Sequence, residues 1–160
     1  MSSIFSAFRI AASALTAQRL RMDVLANNVA NAETTRTEEG GPYKRQQVVF
    51  TANQETSFAS FLSPTSNTDA PSTTQLETRN KTTLAGVRVE TILTDDTPGN
   101  RVYDPDHPDA DEDGFVSYPN VNLATEMTDM LSATRSYEAN VTVFNSLKGM
   151  ALKALDIGRG

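Results

Sequence analysis

Two heptad ladders, one at each end of the chain, constrain this sequence most. Near the start, Ile4, Ala11, Gln18 and Leu25 recur every seven residues, and Phe8, Leu15, Met22 and Val29 stand four places on from each. Near the end the ladder is Leu123, Met130, Tyr137, Phe144 and Ala151, with Met127, Thr134, Val141, Lys148 and Leu155 four places on. A seven-residue repeat with an offset second row lays an apolar seam along one side of an α-helix. Two such helices at opposite ends of a chain invite pairing, and they leave the middle to be presented as a separate piece. The expected fold is therefore mainly α with a small β module, the long terminal helices paired as a coiled coil.

The first helix is expected over 2–32, a stretch free of Gly and Pro, at a length of ~45 Å. The second is expected over 121–156 at ~50 Å, with Asn120 or Asn122 as cap and Gly158 beyond its end. Gly149 inside that helix implies a close helix contact, since Gly otherwise costs about 1 kcal/mol against Ala. Each helix carries more apolar residues than one seam uses. Phe5, Ile10, Leu20 and Val24 lie off the first ladder; Leu131, Val143, Leu147, Met150 and Leu152 lie off the second. Surplus apolar surface of that extent marks an interaction face. Neighbouring subunits are the expected cover, because the middle is too polar to supply a large one.

The chain divides into an N-terminal helix with its exit corner (1–35), a central extended region (36–120) and a C-terminal helix (121–160). In the centre, 43–50 and 87–94 read as strands, the latter with Val87, Val89 and Leu93 against Arg88, Glu90 and Thr94. Residues 101–103 and 115–118 read as two short strands around an acidic turn. The polar stretch 51–83 reads as a flexible insert, with Phe58, Phe61 and Leu62 as its apolar cluster.

Composition removes several function classes. A net charge of −6 argues against a nucleic-acid partner, which requires a clustered basic face. The chain has no cysteine, which removes disulfides and thiolate metal sites. It has no apolar run of membrane-spanning length. Met1 to Ala14 lacks the positive start and unbroken apolar core of a cleaved signal peptide.

The motifs favour no chemistry. Asp109, Asp111, Asp113 and Gly114 fall at calcium-loop positions, which makes a calcium-dependent binding module on the 109–114 loop the alternative reading. The bidentate Glu that such a loop requires is replaced by Asn120, and Pro105 and Pro108 forbid a helix leading in. All three aspartates are expected to be solvated and metal-free. His107, the single histidine, sits between prolines without a second catalytic partner. A glycosidase-type pair of carboxylates across a cleft, as a cell-wall hydrolase would need, finds no candidates in one clustered turn. No catalytic residue and no cofactor is expected.

One segment stands out at the end of the first helix. Asn27, Asn28 and Asn31 are expensive in helix propensity but favour helix ends and local backbone bonds. They imply a defined corner, where Asn side chains fix how the chain leaves the helix.

The stretch from Gln18 to Thr35, with Asn27-Asn28-Val29-Ala30-Asn31 at its centre, resembles the N-terminal signature of the flagellar basal-body rod proteins. Gly40-Gly41-Pro42-Tyr43-Lys44-Arg45, the run from Tyr103 through Gly114, and Tyr118-Pro119-Asn120-Val121-Asn122 are similar to the proximal-rod members. Glu126-Met127, Tyr137-Glu138-Ala139-Asn140 and Lys153-Ala154-Leu155 fit as well. The stretch 51–83 departs from the family by its length. The resemblance implies a structural subunit of the periplasmic rod, which joins the membrane-embedded ring to the hook and carries torque. It implies copies of the chain and other rod proteins as partners. It also implies export through the flagellar type III apparatus without a cleaved signal.

Overall fold

The computed structural model describes residues 2–55 and 83–158. Helix α1 spans Ser2–Ala30. Strand β1 (Gln46–Glu55) pairs antiparallel with β2 (Thr83–Thr94), and β3 (Arg101–Tyr103) pairs with β4 (Phe115–Ser117). Helix α2 spans Leu123–Ile157. Asn122 caps it, its side chain accepting from the Thr125 amide at 3.2 Å.

The two helices pack against each other and run antiparallel. Phe8 meets Phe144 edge to face at 5.1 Å near one end. Met22 touches Thr134 at 3.6 Å further along. Arg21 faces Asp129 at 3.6 Å beyond that. The α1 ladder lies in this seam, with Ala11 and Leu25 buried and Phe8, Leu15, Met22 and Val29 half-buried. Ile4 belongs to α1, but its side chain lies outside the described residues.

On α2 the seam differs from the sequence expectation. Met130, Tyr137, Phe144 and Ala151 are half-buried as the ladder requires. Glu126, Ala133, Asn140 and Leu147, three places after each seven-residue step, join them there, alongside Thr134 and Val141 of the expected row, which are half-buried as well. Met127 and Leu155 of the expected row, and Leu123 at the head of the ladder, are exposed within the chain. A heptad seam alternates steps of three and four, and the three-step here falls on a Glu, an Ala and an Asn that carry no apolar signal.

The β1–β2 hairpin lies back on the other face of α1. There Ala17 and Val24 are each only 4% exposed. Val87 and Val89 come over Ser13, Ala17 and Leu20. The middle of the chain therefore covers part of the surplus on α1, where neighbouring subunits were the expected cover, and leaves Phe5 and Ile10 exposed. Gly86 permits the approach. Its φ is +110°, and a Cβ there would overlap the Ser13 hydroxyl. That hydroxyl accepts the Val87 amide at 3.1 Å and donates to the Ile10 carbonyl at 2.7 Å.

β1 begins three residues later than expected and reaches Glu55, inside the stretch read as an insert, and β2 begins four residues earlier than expected, at Thr83. The rest of that stretch, with Phe58, Phe61 and Leu62, lies outside the described residues. The pairing slips between Val49 and Phe50, leaving Glu90 without an opposite residue. A bulge moves every later side chain to the other face. Leu93, beyond the bulge, is exposed, as is its neighbour Ile92.

Among the described residues Gly149 makes no close contact, since a Cβ there would meet nothing within 4 Å. The helix contact expected at that position is not found among the described residues.

Candidate functional site

The most constrained feature is a buried polar junction where three elements meet. Asn28 near the end of α1 and Glu126 in the first turn of α2 are both fully buried. The Asn28 side-chain amide donates to Glu126 Oε2 at 2.9 Å and to the Gln46 carbonyl at 2.8 Å. Its Oδ1 accepts from the Gln46 amide at 3.0 Å and from the Tyr43 hydroxyl at 2.9 Å. An Asn side chain has two donors and two acceptor sites, and all are used. Glu126 Oε1 takes the Arg45 Nε–H at 2.6 Å. Burial, and then the Glu126 carboxylate, raise the Tyr43 phenol above its ordinary 10.0.

The junction fixes the start of β1 against both helices at once. A buried charge is tolerated only when paired and fully bonded, and Glu126 has both Arg45 and Asn28. Removing one member leaves the others unsatisfied in low dielectric. The arrangement is one for holding geometry. It presents no nucleophile, no base beside a cleft and no open donor for a reacting group.

The corner before the junction is built by the other asparagines. Asn31 Nδ2 donates to the Asn27 carbonyl at 2.9 Å, and Thr34 Oγ1 donates to Asn31 Oδ1 at 3.1 Å. The Tyr43 amide returns to the Thr34 carbonyl at 3.0 Å, closing a loop that turns at Gly40 and Gly41 with positive φ. Pro42 and Gly40 border a cleft of about 100 Å³ with Asp95, Gly99 and Tyr118. Asn27 and Ala30 face solvent. Of the motif residues, then, Asn28 and Tyr43 reach the junction, and Asn31 shapes the approach to it.

The acidic turn is tied down by separate partners. Asp109 is half-buried, contrary to the expectation of full solvation; it accepts the Thr35 hydroxyl at 2.8 Å and faces Arg36 at 3.6 Å. Asp111 pairs with Arg101 at 2.6 Å, and the Arg101 guanidinium stacks 5.2 Å from the Phe115 ring centre. Asp113 is exposed. Among the described residues, no group of three His, Cys, Asp or Glu side chains is placed to hold a metal ion. His107 Nδ1 accepts the Asp109 amide at 3.1 Å, a bond internal to its turn.

Away from the junction, the helices carry unpartnered apolar surface. Phe5 and Ile10 on α1 are exposed, as are Leu123, Met127, Leu131, Val143, Met150, Leu152, Leu155 and Ile157 on α2. Met127, Met130, Leu131 and Thr134 line an open depression of about 490 Å³. No helix among the described residues is long and apolar enough to cross a membrane.

A paired set of terminal helices, a polar lock at their base and exposed apolar faces define a subunit built for assembly. The family described as Flagella basal body rod protein matches residues 8–36. The family described as Flagellar basal body rod FlgEFG protein C-terminal matches residues 112–157. The flagellar basal-body rod protein FlgC of Borreliella burgdorferi is 42% identical over 163 residues, covering 98% of this chain and 99% of the relative. That of Bacillus subtilis is 44% identical, covering 97% of this chain and 98% of the relative. That of Salmonella typhimurium is 35% identical, covering 98% and 99%. The chain belongs to the FlgC family of flagellar basal-body rod proteins. It is a structural subunit of the basal-body rod and not an enzyme.

Proposed function

We propose that this rod subunit polymerises through its terminal helices, α1 and α2, into the proximal part of the periplasmic drive shaft. Copies of the chain and other rod proteins cover the apolar faces that the single chain leaves open, and the helix pair tightens into a coiled coil within the shaft. The chain divides in function as it does in sequence. Residues 1–35 and 121–160 form the axial layer, and 36–120 lies outside it. The subunit reaches its site through the flagellar export apparatus without a cleaved signal, and it transmits torque for motility.

The observation that carries this reading is the run of exposed apolar side chains on α2, from Leu123 to Ile157. Large apolar side chains of that number on one helix mark a surface that another molecule covers. Identical contacts between unlike faces produce an open helical stack when the rotation does not close. Electron microscopy of purified basal bodies from cells carrying Leu131→Asp and Val143→Asp tests it. Basal bodies without rods, from cells that still export the chain, are the expected result. Complete rods in that strain would refute the assembly role of these faces.

A further inference from the structure

The β3–β4 hairpin has two faces, and among the described residues only one of them is anchored to the rest of the fold. Its register sets Tyr103 opposite Phe115 and Arg101 opposite Ser117, with the Val102–Val116 pair between. Side chains alternate across a strand, so Arg101, Tyr103 and Phe115 share one face while Val102 and Val116 share the other. Val116 is fully buried and anchors the hairpin. On the opposite face Tyr103 is 64% exposed and Phe115 37%.

The open face is held in one arrangement all the same. The two rings meet edge to face at 5.3 Å. Arg101 lies 5.2 Å from the Phe115 ring centre and pairs with Asp111 at 2.6 Å. Gly114 turns the chain at a φ of +79°, and a Cβ there would come within 2.9 Å of the Tyr103 ring. The Asp104 amide donates to the Gly114 carbonyl at 2.9 Å, and the Asp111 amide to the Phe115 carbonyl at 2.8 Å. Tyr, Phe and Arg are side chains enriched at the centres of protein interfaces. Rings fixed before they are covered have already met part of the ordering cost of binding.

Charge gives the chemistry of what covers them. Residues 104–113 carry Asp104, Asp106, Asp109, Asp111, Glu112 and Asp113, and no Lys or Arg. Asp109 and Asp111 have Arg36 and Arg101 beside them. Asp106, Glu112 and Asp113 are exposed. A second copy would bring the same acidic rim against this one, and like charges across an interface repel. The chain is also a poor source of a basic face. Its net charge is −6, and Arg21, Lys44 and Arg45 already stand beside Asp129, Asp96 and Glu126.

We propose that the Tyr103–Phe115 face is a docking site for a different protein of the flagellar basal body, one that presents an apolar recess rimmed by Lys and Arg. The ring pair fills the recess, and Asp106, Glu112 and Asp113 meet the basic rim. The site belongs to the central region of the chain, so it goes beyond the polymerisation of the helices and does not depend on it.

The test places the photo-crosslinking residue p-benzoylphenylalanine at Tyr103 and, in a second strain, at Glu112, in the full chain as the sole copy in cells. Adducts are measured per copy of the chain in purified basal bodies, and the crosslinked segment is identified by mass spectrometry. The expected result is an adduct with another protein, at a segment bearing Lys or Arg. In the Tyr103 strain, Asp106→Lys, Glu112→Lys and Asp113→Lys together should lower the yield at least about tenfold, as like charges set against each other require. Asp106→Asn, Glu112→Gln and Asp113→Asn should lower it less, and they serve if the Lys variant stays out of basal bodies. An adduct with a second copy of this chain, or at an acidic or uncharged segment, would overturn the proposal. So would no adduct from either position, or a yield indifferent to the charge changes. The same crosslinker at Leu131 reports on the helix reading separately, since its outcome leaves the Tyr103 adduct and its charge dependence unchanged.

Discussion

Asn28 and Glu126 are 98 residues apart in sequence, and their side chains meet at 2.9 Å in the interior. This contact joins the exit of α1 to the entry of α2. Gln46 and Arg45 attach β1 to the same point. A few polar atoms thus add to the apolar seam and the hairpin packing in placing the helices and hairpin relative to one another.

Asn28→Ala removes four hydrogen bonds and leaves the Glu126 carboxylate half-partnered. It is expected to cost about 3 kcal/mol, in the range for breaking one member of a buried charged network. Asn28→Asp is expected to cost more, because it sets a second carboxylate against Glu126. Urea unfolding of the purified variants measures both. An Asp variant more stable than the Ala variant would contradict the repulsion.

Alkali should loosen the junction through Tyr43. Its phenol is raised above 10.0 by burial and then by Glu126. A folded-state pKa above the unfolded value means that the folded chain favours the neutral phenol. The corresponding stability is complete below the unfolded value and is lost as pH rises through the folded one. Stability followed by circular dichroism should fall above about pH 10. Tyr43→Phe should remove that part of the fall while lowering stability at pH 7 through the lost bond to Asn28.

Phe8 and Phe144 offer a direct measure of the helix seam. Edge-to-face aromatic pairs contribute about 1 kcal/mol beyond the area they bury. A double-mutant cycle with Phe8→Ala and Phe144→Ala should return a coupling of about that size. Additive effects would show that the rings do not interact in solution.

Gly86→Ala tests how closely β2 lies on α1. The positive φ and the Ser13 hydroxyl both oppose a methyl group there. A loss of more than about 1 kcal/mol is expected, accompanied by faster exchange of the Val87 amide. Adding Ser13→Ala should recover only part of it, since the backbone strain remains.

The acidic turn should be indifferent to calcium. Asp109, Asp111 and Asp113 changed together to Asn are expected to lower stability by less than about 1 kcal/mol, through the solvent-screened pairs of half-buried Asp109 with exposed Arg36 and of exposed Asp111 with Arg101. The melting temperature should be the same in calcium and in chelator for parent and variant. A calcium-dependent rise confined to the parent would restore a metal-binding role.

How far the fold was legible depends on which residues carry apolar signal. The α1 ladder is written in Phe, Leu, Met and Val, and the helix pair follows from it. On α2 the seam also takes in Glu126 and Asn140, whereas hydropathy favours the adjacent Met127, which is exposed, and Val141, which is half-buried. The bulge at Glu90 could not be read, because a single unpaired residue leaves the local alternation intact on either side. Asn28 was visible as part of an unusual run. Its partner was not: an acidic residue in the first turn of a helix has an ordinary explanation in the helix dipole. Only the meeting of elements far apart in sequence makes Glu126 a junction residue.

The pairing of Glu55 with Thr83 has a consequence for how the family can diversify. Opposed residues in an antiparallel ladder stand about 5 Å apart. The chain therefore leaves β1 and re-enters β2 through neighbouring doorways, whatever lies between. Halving the connection changes its closure free energy by only about 0.6 kcal/mol. Length and composition at that port can drift between lineages, or be replaced outright, while the register of both strands and the seating of the hairpin on α1 stay as they are.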